Sequence, residues 1–352
     1  MRLQDAPRIK LAHLPTPLEP LPNLSRRLGG PNIYVKRDDC TGLALGGNKV
    51  RKLEFVLAEA MNAGADMIVT WGSLQSNHAR QTAAACAKLG LPVLLLLRDN
   101  GTEADRDFYR SGNVLLDRLF NAEIRTFPEG DDAEAFWLSI EGEYRAAGKT
   151  PFFIPVGAST PTGCLGYAAA AAEIAGQALA AEVVFDTVFC ASGSLGTQAG
   201  LICGFHLIGA RSKVVGLPVE PVDPLQMEEI TWSLVEQTCD LLATKTKPSR
   251  ADVVVRAFPV DFGGYASIEN ITLDAVKVVA ETEGLILDPI YTGPAMAGLI
   301  HAIRSGALAH DETVLFIHTG GVPGSFGYLD RYVDRLQGNE SASLPPPKRR
   351  LG

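Results

Sequence analysis

Apolar positions along this chain fall into two alternating rhythms. Short runs that are apolar nearly throughout recur at 32–38 (NIYVKRD), 66–71 (DMIVTW), 92–98 (PVLLLLR), 186–192 (DTVFCAS), 213–219 (KVVGLPV) and 313–319 (TVLFIHT). Such runs, bounded by turn residues, predict strands of parallel sheets covered on both faces. Longer segments between them carry helical periodicity and predict helices near 49–63, 77–89, 165–180, 197–209, 223–243, 272–283 and 293–304. The fold class is therefore α/β, with two open, twisted, mainly parallel sheets and helices on both faces. The runs form two groups, and 151–165 (PFFIPVGASTPTGCL), rich in Pro, Gly, Ser and Thr, marks a crossing point between two domains with a cleft between them. The expected division is 1–50 with 160–337 as a large domain and 51–159 as a small one. Residues 338–352 are expected to form a polar, proline-rich tail.

Composition narrows the function. A chain of 352 residues with 46% hydrophobic content can build one large core or two smaller ones. Net charge is −8 and no long basic run precedes the tail, so nucleic acid and anionic membrane are poor partners. No apolar stretch reaches membrane-spanning length, and the N-terminus lacks a signal-peptide pattern. Cys40, Cys86, Cys164, Cys190, Cys203 and Cys239 are scattered, mostly in apolar or Gly/Ala-rich settings. That usage fits a reduced, cytoplasmic protein. The six histidines show no paired ligand spacing, so no metal site is expected.

Four turns carry candidate chemistry. In ALGGNKVRKLEF (44–55), Lys49 opens a helix with Leu53, Leu57 and Ala58 on one face and Arg51, Lys52 and Glu54 on the other. A cation there opposes the helix dipole, and stability alone would favour Asp or Ser. The lysine is thus a candidate for chemistry. In GSLQSNHARQTAAACAKLG, from Gly72, Ser76 or Asn77 can cap a helix whose free N–H groups suit a carboxylate or phosphate. The same turn also reads as an ordinary capped strand–helix connection. ASGSLGTQAGL, from Ala191, suits an anion through its glycines, Ser194 and Thr197, or serves as a tight connection. It is neither a Walker loop nor a dinucleotide fingerprint. FIHTGGVPG, from Phe316, ends a strand where open α/β sheets bind ligands, with Thr319 offering a hydroxyl. A cofactor with both an aldehyde and a phosphate would use all four, and pyridoxal phosphate fits.

The stretches KRDDCTGLALGGNKVRKLEF, QSNHARQTAA, GSLGTQAGL, LDPIYTGPAMAGLI and FIHTGG resemble the D-cysteine desulfhydrase and 1-aminocyclopropane-1-carboxylate deaminase family. That family is a branch of the tryptophan-synthase-β-like, fold type II pyridoxal 5'-phosphate enzymes, and the likeness runs from about residue 5 to 330. It implies that Lys49 holds the cofactor as a Schiff base and moves the substrate proton. It implies that Asn77 meets the ring hydroxyl, while Gln75, Ser76, Asn77 and His78 receive the substrate carboxylate. Ser194, Leu195, Gly196 and Thr197 would cradle the phosphate, with Lys52 as a further cation. Tyr265 and Tyr291 match the two tyrosines that face the substrate, and the cofactor would lie in the cleft between the domains. Thr292 and Thr319 stand where the deaminase branch has Glu and Leu, as in the desulfhydrase branch. A carboxylate keeps the pyridine nitrogen protonated and deepens the electron sink, whereas a hydroxyl leaves it neutral. The resemblance also suggests a homodimer acting on a small amino acid.

The implied reaction is α,β-elimination, most simply D-cysteine to pyruvate, hydrogen sulfide and ammonia. The sequence departs from the family at Ala266, Ser267 and Ile268 after the first tyrosine, at Pro294 in place of a lysine, and at Glu220 and Asp223 among prolines. These departures face the substrate side and keep L-cysteate elimination, a specialised elimination or β-replacement, and the cyclopropane deaminase in view. A non-catalytic relative and a nicotinamide-dependent oxidoreductase are the rivals from other classes. Retention of Lys49 counts against the first, and the missing ribose-binding acid against the second.

Overall fold

The structure is a computed structural model that describes residues 1–99, 106–128, 130–220, 222–257 and 268–337. Tyr265, Ala266, Ser267 and the expected tail lie outside the described residues. All six expected strands form, in two separate sheets. In chain order the strands are β1 (Leu18–Pro20), β2 (Asn32–Arg37), β3 (Met67–Ser73), β4 (Val93–Asp99), β5 (Glu123–Pro128), β6 (Pro151–Ile154), β7 (Thr187–Ser192), β8 (Lys213–Pro218), β9 (Val254–Val255) and β10 (Thr313–His318). The chain divides into two compact units, Met1–Ala63 with Pro155–Val322, and Gly64–Ile154 with Pro323–Gly352.

The first unit holds a sheet in the order β1-β2-β10-β7-β8-β9, parallel except where the short edge strand β1 runs against β2. β10 is central and apolar throughout, with Val314, Leu315, Phe316 and Ile317 fully buried. The helices Lys49–Asn62, Pro161–Ala180 and Gly196–Leu207 pack together at unusually close range. A Cβ on Gly166 would lie 2.2 Å from the Arg51 carbonyl oxygen, and one on Gly200 would lie 2.4 Å from that of Cys164. Glycine is needed at both places because two backbones touch there. The Lys49 helix starts two residues before its contact at Arg51 and the Gly196 helix four residues before Gly200, beside Ser194, so this packing brings two of the candidate turns together.

The second unit holds an all-parallel sheet in the order β5-β4-β3-β6. Its core includes Met67, Val69, Leu94, Leu96, Phe127, Trp137 and Ile140. The helices of this unit include Asn77–Leu89, Gly112–Leu119 and Ala133–Ala146.

The sequence reading left some elements out. β5 and β6 were not expected, because β5 alternates charged and apolar residues at a half-exposed edge and β6 lies in a Pro/Gly-rich stretch. The whole helix Lys49–Asn62 belongs to the first unit, and 323–337 to the second. On the Lys49 helix, the charged residues Arg51, Lys52 and Glu54 are all buried. Glu54 accepts from the backbone N–H groups of Leu11 and Ala12 and pairs with Arg8. Arg51 pairs with Asp38 and Glu173. Buried charges are tolerable when partners of this kind replace water. The cysteines, distant in sequence, also include one spatial pair, with Cys203 and Cys239 sulfurs 3.8 Å apart as free thiols.

Candidate active site

In the first unit, the turn before Lys49 is held by its backbone. Gly47 N–H donates to the Asp38 carbonyl (3.0 Å) and to the Thr41 hydroxyl (2.7 Å). Asn48 N–H donates to the Thr319 carbonyl (3.0 Å), and its Nδ2 donates to the Thr197 hydroxyl (3.1 Å). A Cβ on Gly320, at φ 90°, would sit 2.8 Å from Gly47 Cα. Two glycines therefore abut, one beside the lysine and one at the end of β10.

Lys49 Nζ lies 3.4 Å from Ser194 Oγ. Burial first, and the Lys52 cation second, lower the Lys49 pKa well below the ordinary lysine value. Lys52 Nζ, one turn on, donates to the Gly157 carbonyl (3.1 Å) and the Ser159 hydroxyl (3.1 Å), and burial pushes its pKa down to about 8. Ser159 Oγ in turn lies 2.9 Å from Ser194 Oγ and accepts from Gly196 N–H at 3.3 Å. Leu195, at φ 65°, turns the chain so that the helix Gly196–Leu207 starts without a side-chain cap. Gly196 N–H is spent on Ser159 Oγ and the Ser194 carbonyl, and the N–H groups that follow it in the first turn are left for another acceptor. A Cβ on Gly157, at φ 70°, would fall 2.1 Å from Ser194 Oγ and 3.3 Å from Lys49 Nζ, so this glycine keeps the space between them clear. An amine of lowered pKa next to an ammonium, hydroxyls and an uncapped helix start suits a molecule carrying both a carbonyl and a phosphate.

Thr292 and Thr319 behave differently. The Thr292 hydroxyl donates to Asp288 Oδ1 (2.6 Å) and accepts from Asp288 N–H (2.7 Å), so its proton is committed. Asp288 also accepts from the N–H groups of Ile290, Tyr291 and Thr292; burial raises its pKa and these bonds oppose the rise. Thr319 is buried, and its hydroxyl makes no hydrogen bond among the described residues. His318 beside it accepts from Gly320 N–H through Nδ1 (3.3 Å) and meets the Ile286 carbonyl through Nε2 (3.0 Å). That pairing requires a neutral ring protonated on Nε2, and burial lowers its pKa accordingly. Tyr291 precedes the helix Thr292–Arg304, with its ring edge 3.5 Å from where a Gly193 Cβ would be. Pro294 sits in the first turn of that helix, where its missing N–H costs nothing. Asp223 caps the helix Pro224–Leu241 through Leu225 N–H, while Glu220 is half-buried with a pKa raised by burial.

In the second unit, Ser76 caps the helix Asn77–Leu89 by accepting from Ala79 N–H at 3.1 Å. The other side chains of that turn divide. His78 turns inward, Nε2 lying 2.7 Å from the Thr70 hydroxyl, which itself donates to the Ile154 carbonyl. Gln75 donates through Nε2 to the carbonyls of Phe108 (2.7 Å) and Ser111 (3.1 Å), and accepts from Asn113 N–H (2.8 Å). Both side chains are thus spent on the fold. Asn77 accepts from Asn113 Nδ2 at 2.9 Å, and its own Nδ2 makes no hydrogen bond among the described residues. Of the residues singled out from the sequence, the first unit brings Lys49, Lys52, Ser194, Gly196 and Thr197 together. The sequence reading missed Gly157 and Ser159, whose only signal was a Gly-Ala-Ser-Thr run after an apolar one, and Asn48 and Asn113, which carried none.

Residues 9–320 match the family model described as "Pyridoxal-phosphate dependent enzyme". The chain is 43% identical over 325 residues to a D-cysteine desulfhydrase of Salmonella choleraesuis, covering 92% of this chain and 96% of that one. It is 39% identical over 336 residues to a Pyrococcus horikoshii protein provisionally named a 1-aminocyclopropane-1-carboxylate deaminase, covering 95% and 98%. Among solved structures it is similar to one described as an ACC deaminase homologue, at 37% identity and a TM-score of 0.84, covering 95% and 97%.

Proposed function

The chain belongs to the pyridoxal-phosphate dependent enzymes, and from that premise we propose that it eliminates the β substituent of a small amino acid, D-cysteine above all. The overall change takes up one water and releases pyruvate, hydrogen sulfide and ammonia. The observation that carries the reading is the Lys49 amine, of lowered pKa, facing Ser194 beside an anion cradle. When bound, pyridoxal phosphate supplies an electron sink for charge developing at the substrate α carbon.

The protein's own residues do the rest. Lys52, Ser159, Ser194 and the first N–H groups of the Gly196 helix take the phosphate. Lys49, poised neutral by burial, holds the cofactor and carries the α proton. Asn77 Nδ2 is our assignment for the ring hydroxyl, and Ser76 with the N–H groups of its helix start for the substrate carboxylate. Gln75 and His78 act only by shaping that turn. Thr319 supplies the free hydroxyl for the ring nitrogen, while Thr292 fixes the helix start through Asp288. Neither position holds an available carboxylate, which favours substrates that carry a leaving group over the opening of a cyclopropane ring. Tyr291 is our assignment for the group that protonates the departing sulfur.

The test is pyruvate release from cofactor-loaded protein given D-cysteine, L-cysteine, L-cysteate or 1-aminocyclopropane-1-carboxylate. D-cysteine should give the fastest release, and Lys49→Ala should slow it about 10³-fold or more. Turnover at the wild-type rate in Lys49→Ala would falsify the role of the lysine. Faster release from L-cysteate would move the substrate assignment to that compound.

A further inference from the structure

Three side-chain amides meet in the second unit, and their orientations follow from backbone groups whose roles are not interchangeable. The Gln75 carbonyl can only accept, so the Asn113 atom 2.8 Å from it must be Nδ2. The same Nδ2 lies 2.9 Å from Asn77, whose facing atom must then be Oδ1. Asn113 N–H can only donate, so Gln75 presents Oε1 to it and turns Nε2 to the Phe108 and Ser111 carbonyls. Asn113 is fully buried, and its own Oδ1 has no partner among the described residues. An unpaired buried acceptor carries a cost that an apolar packing residue would avoid. Gly324 passes 3.3 Å from Asn113 Nδ2, measured from where its Cβ would be, leaving little room for either amide to turn.

We infer that Asn113 is a positioning residue that locks the Asn77 amide with its oxygen inward, so that the site is offered a donor, Nδ2, and never an acceptor. The inference rests on the reading that Asn77 meets the ring hydroxyl of pyridoxal phosphate. Asn113 itself touches neither cofactor nor substrate. Its effect is to choose one of two amide orientations that differ in hydrogen-bonding sign. In water the two interconvert freely; in this turn only one satisfies both Gln75 and Asn77.

A double-mutant cycle read by cofactor affinity and by the visible absorption of the bound cofactor tests this. Apoprotein titrated with pyridoxal phosphate should show Asn113→Ser weakening binding about tenfold and shifting the visible band, the worth of one well-placed hydrogen bond. In an Asn77→Ala background the same Asn113→Ser change should add nothing. An equal loss in both backgrounds means that Asn113 acts through the fold alone, and overturns the inference. Should Asn113→Ser fail to fold, Asn77→Asp decides. It keeps an oxygen toward Asn113 and removes the outward donor, so it should retain the wild-type melting temperature and lose the affinity and the band position. Wild-type affinity and spectrum in Asn77→Asp overturn the inference. If the cycle holds but no amino acid yields pyruvate, the substrate assignment falls and this inference stands. If wild-type apoprotein binds no cofactor, both fall.

Discussion

Lys49 and Lys52 stand one helical turn apart, are both desolvated, and are set to different tasks by what their amines touch. Lys52 rests on a carbonyl and a hydroxyl, which hold it as a cation near neutrality. Lys49 meets only one hydroxyl at long range and feels the Lys52 charge, which favours its neutral form. With a pKa of about 8, Lys52 is charged at pH 7 and largely neutral at pH 9. Binding of inorganic phosphate to the apoprotein should therefore weaken as pH rises above about 8, and calorimetric titration at pH 7 and pH 9 checks it. Lys52→Met should bind phosphate weakly at both. The sequence announced Lys49 because a cation at a helix start is anomalous, and Lys52 only through the family resemblance. Ser159 and Asn113 gave no such sign, since their significance is a distance to residues far along the chain.

The helix Lys49–Asn62 shows what periodicity can and cannot say. Its apolar stripe predicted a helix correctly, and its charged stripe carried no sign of what it would meet. The charges are buried, because Asp38, Glu173, Arg8 and two backbone N–H groups come to them from other segments. A charged residue looks the same in sequence whether water or an ion pair awaits it. Glu173 makes the point measurable. Burial alone would raise its pKa, but Arg51 and Lys36 overcome that and hold it at about 2, against 4.5 ordinarily. Below 4.5 the unfolded chain takes up the proton more readily. The stabilisation is thus complete above about pH 4.5 and is lost as pH falls toward about 2. Glu173→Gln should cost about 3 kcal/mol at pH 7 and flatten that acid limb, as urea unfolding at several pH values will show. Strands were legible where they were apolar on both faces. β5 and β6 were not, because an edge strand or a short one beside proline lacks that signature.

For the molecule as a whole, the α/β class and the two sheets were readable from the spacing of apolar runs. Which unit claims a helix depends on glycines such as Gly166, whose value lies in a backbone that arrives from elsewhere. Among the described residues no helix is long and apolar enough to cross a membrane, and no group of acidic, histidine or cysteine side chains could hold a metal ion. Pyridoxal phosphate binds through groups assembled only in the folded state. At about 100 times its dissociation constant it should add about 2.7 kcal/mol to stability. Removing it should lower the melting temperature, and differential scanning calorimetry of apo and loaded protein gives the comparison. Loaded Lys52→Met should recover less of the difference than wild type.

The abutment of Gly47 and Gly320 sets an order of events during synthesis. β10 is the strand that joins β2 to β7, and the Thr319 carbonyl at its end holds Asn48. While the chain leaves the ribosome, β2 and β7 are made long before β10, and the turn that aims Lys49 has Asp38 and Thr41 to lean on but not Thr319. The reactive lysine takes up its full working geometry only after the segment that follows β10 has emerged. Incomplete chains carry the residue without the pocket that arms it, and so are spared premature capture of a reactive aldehyde.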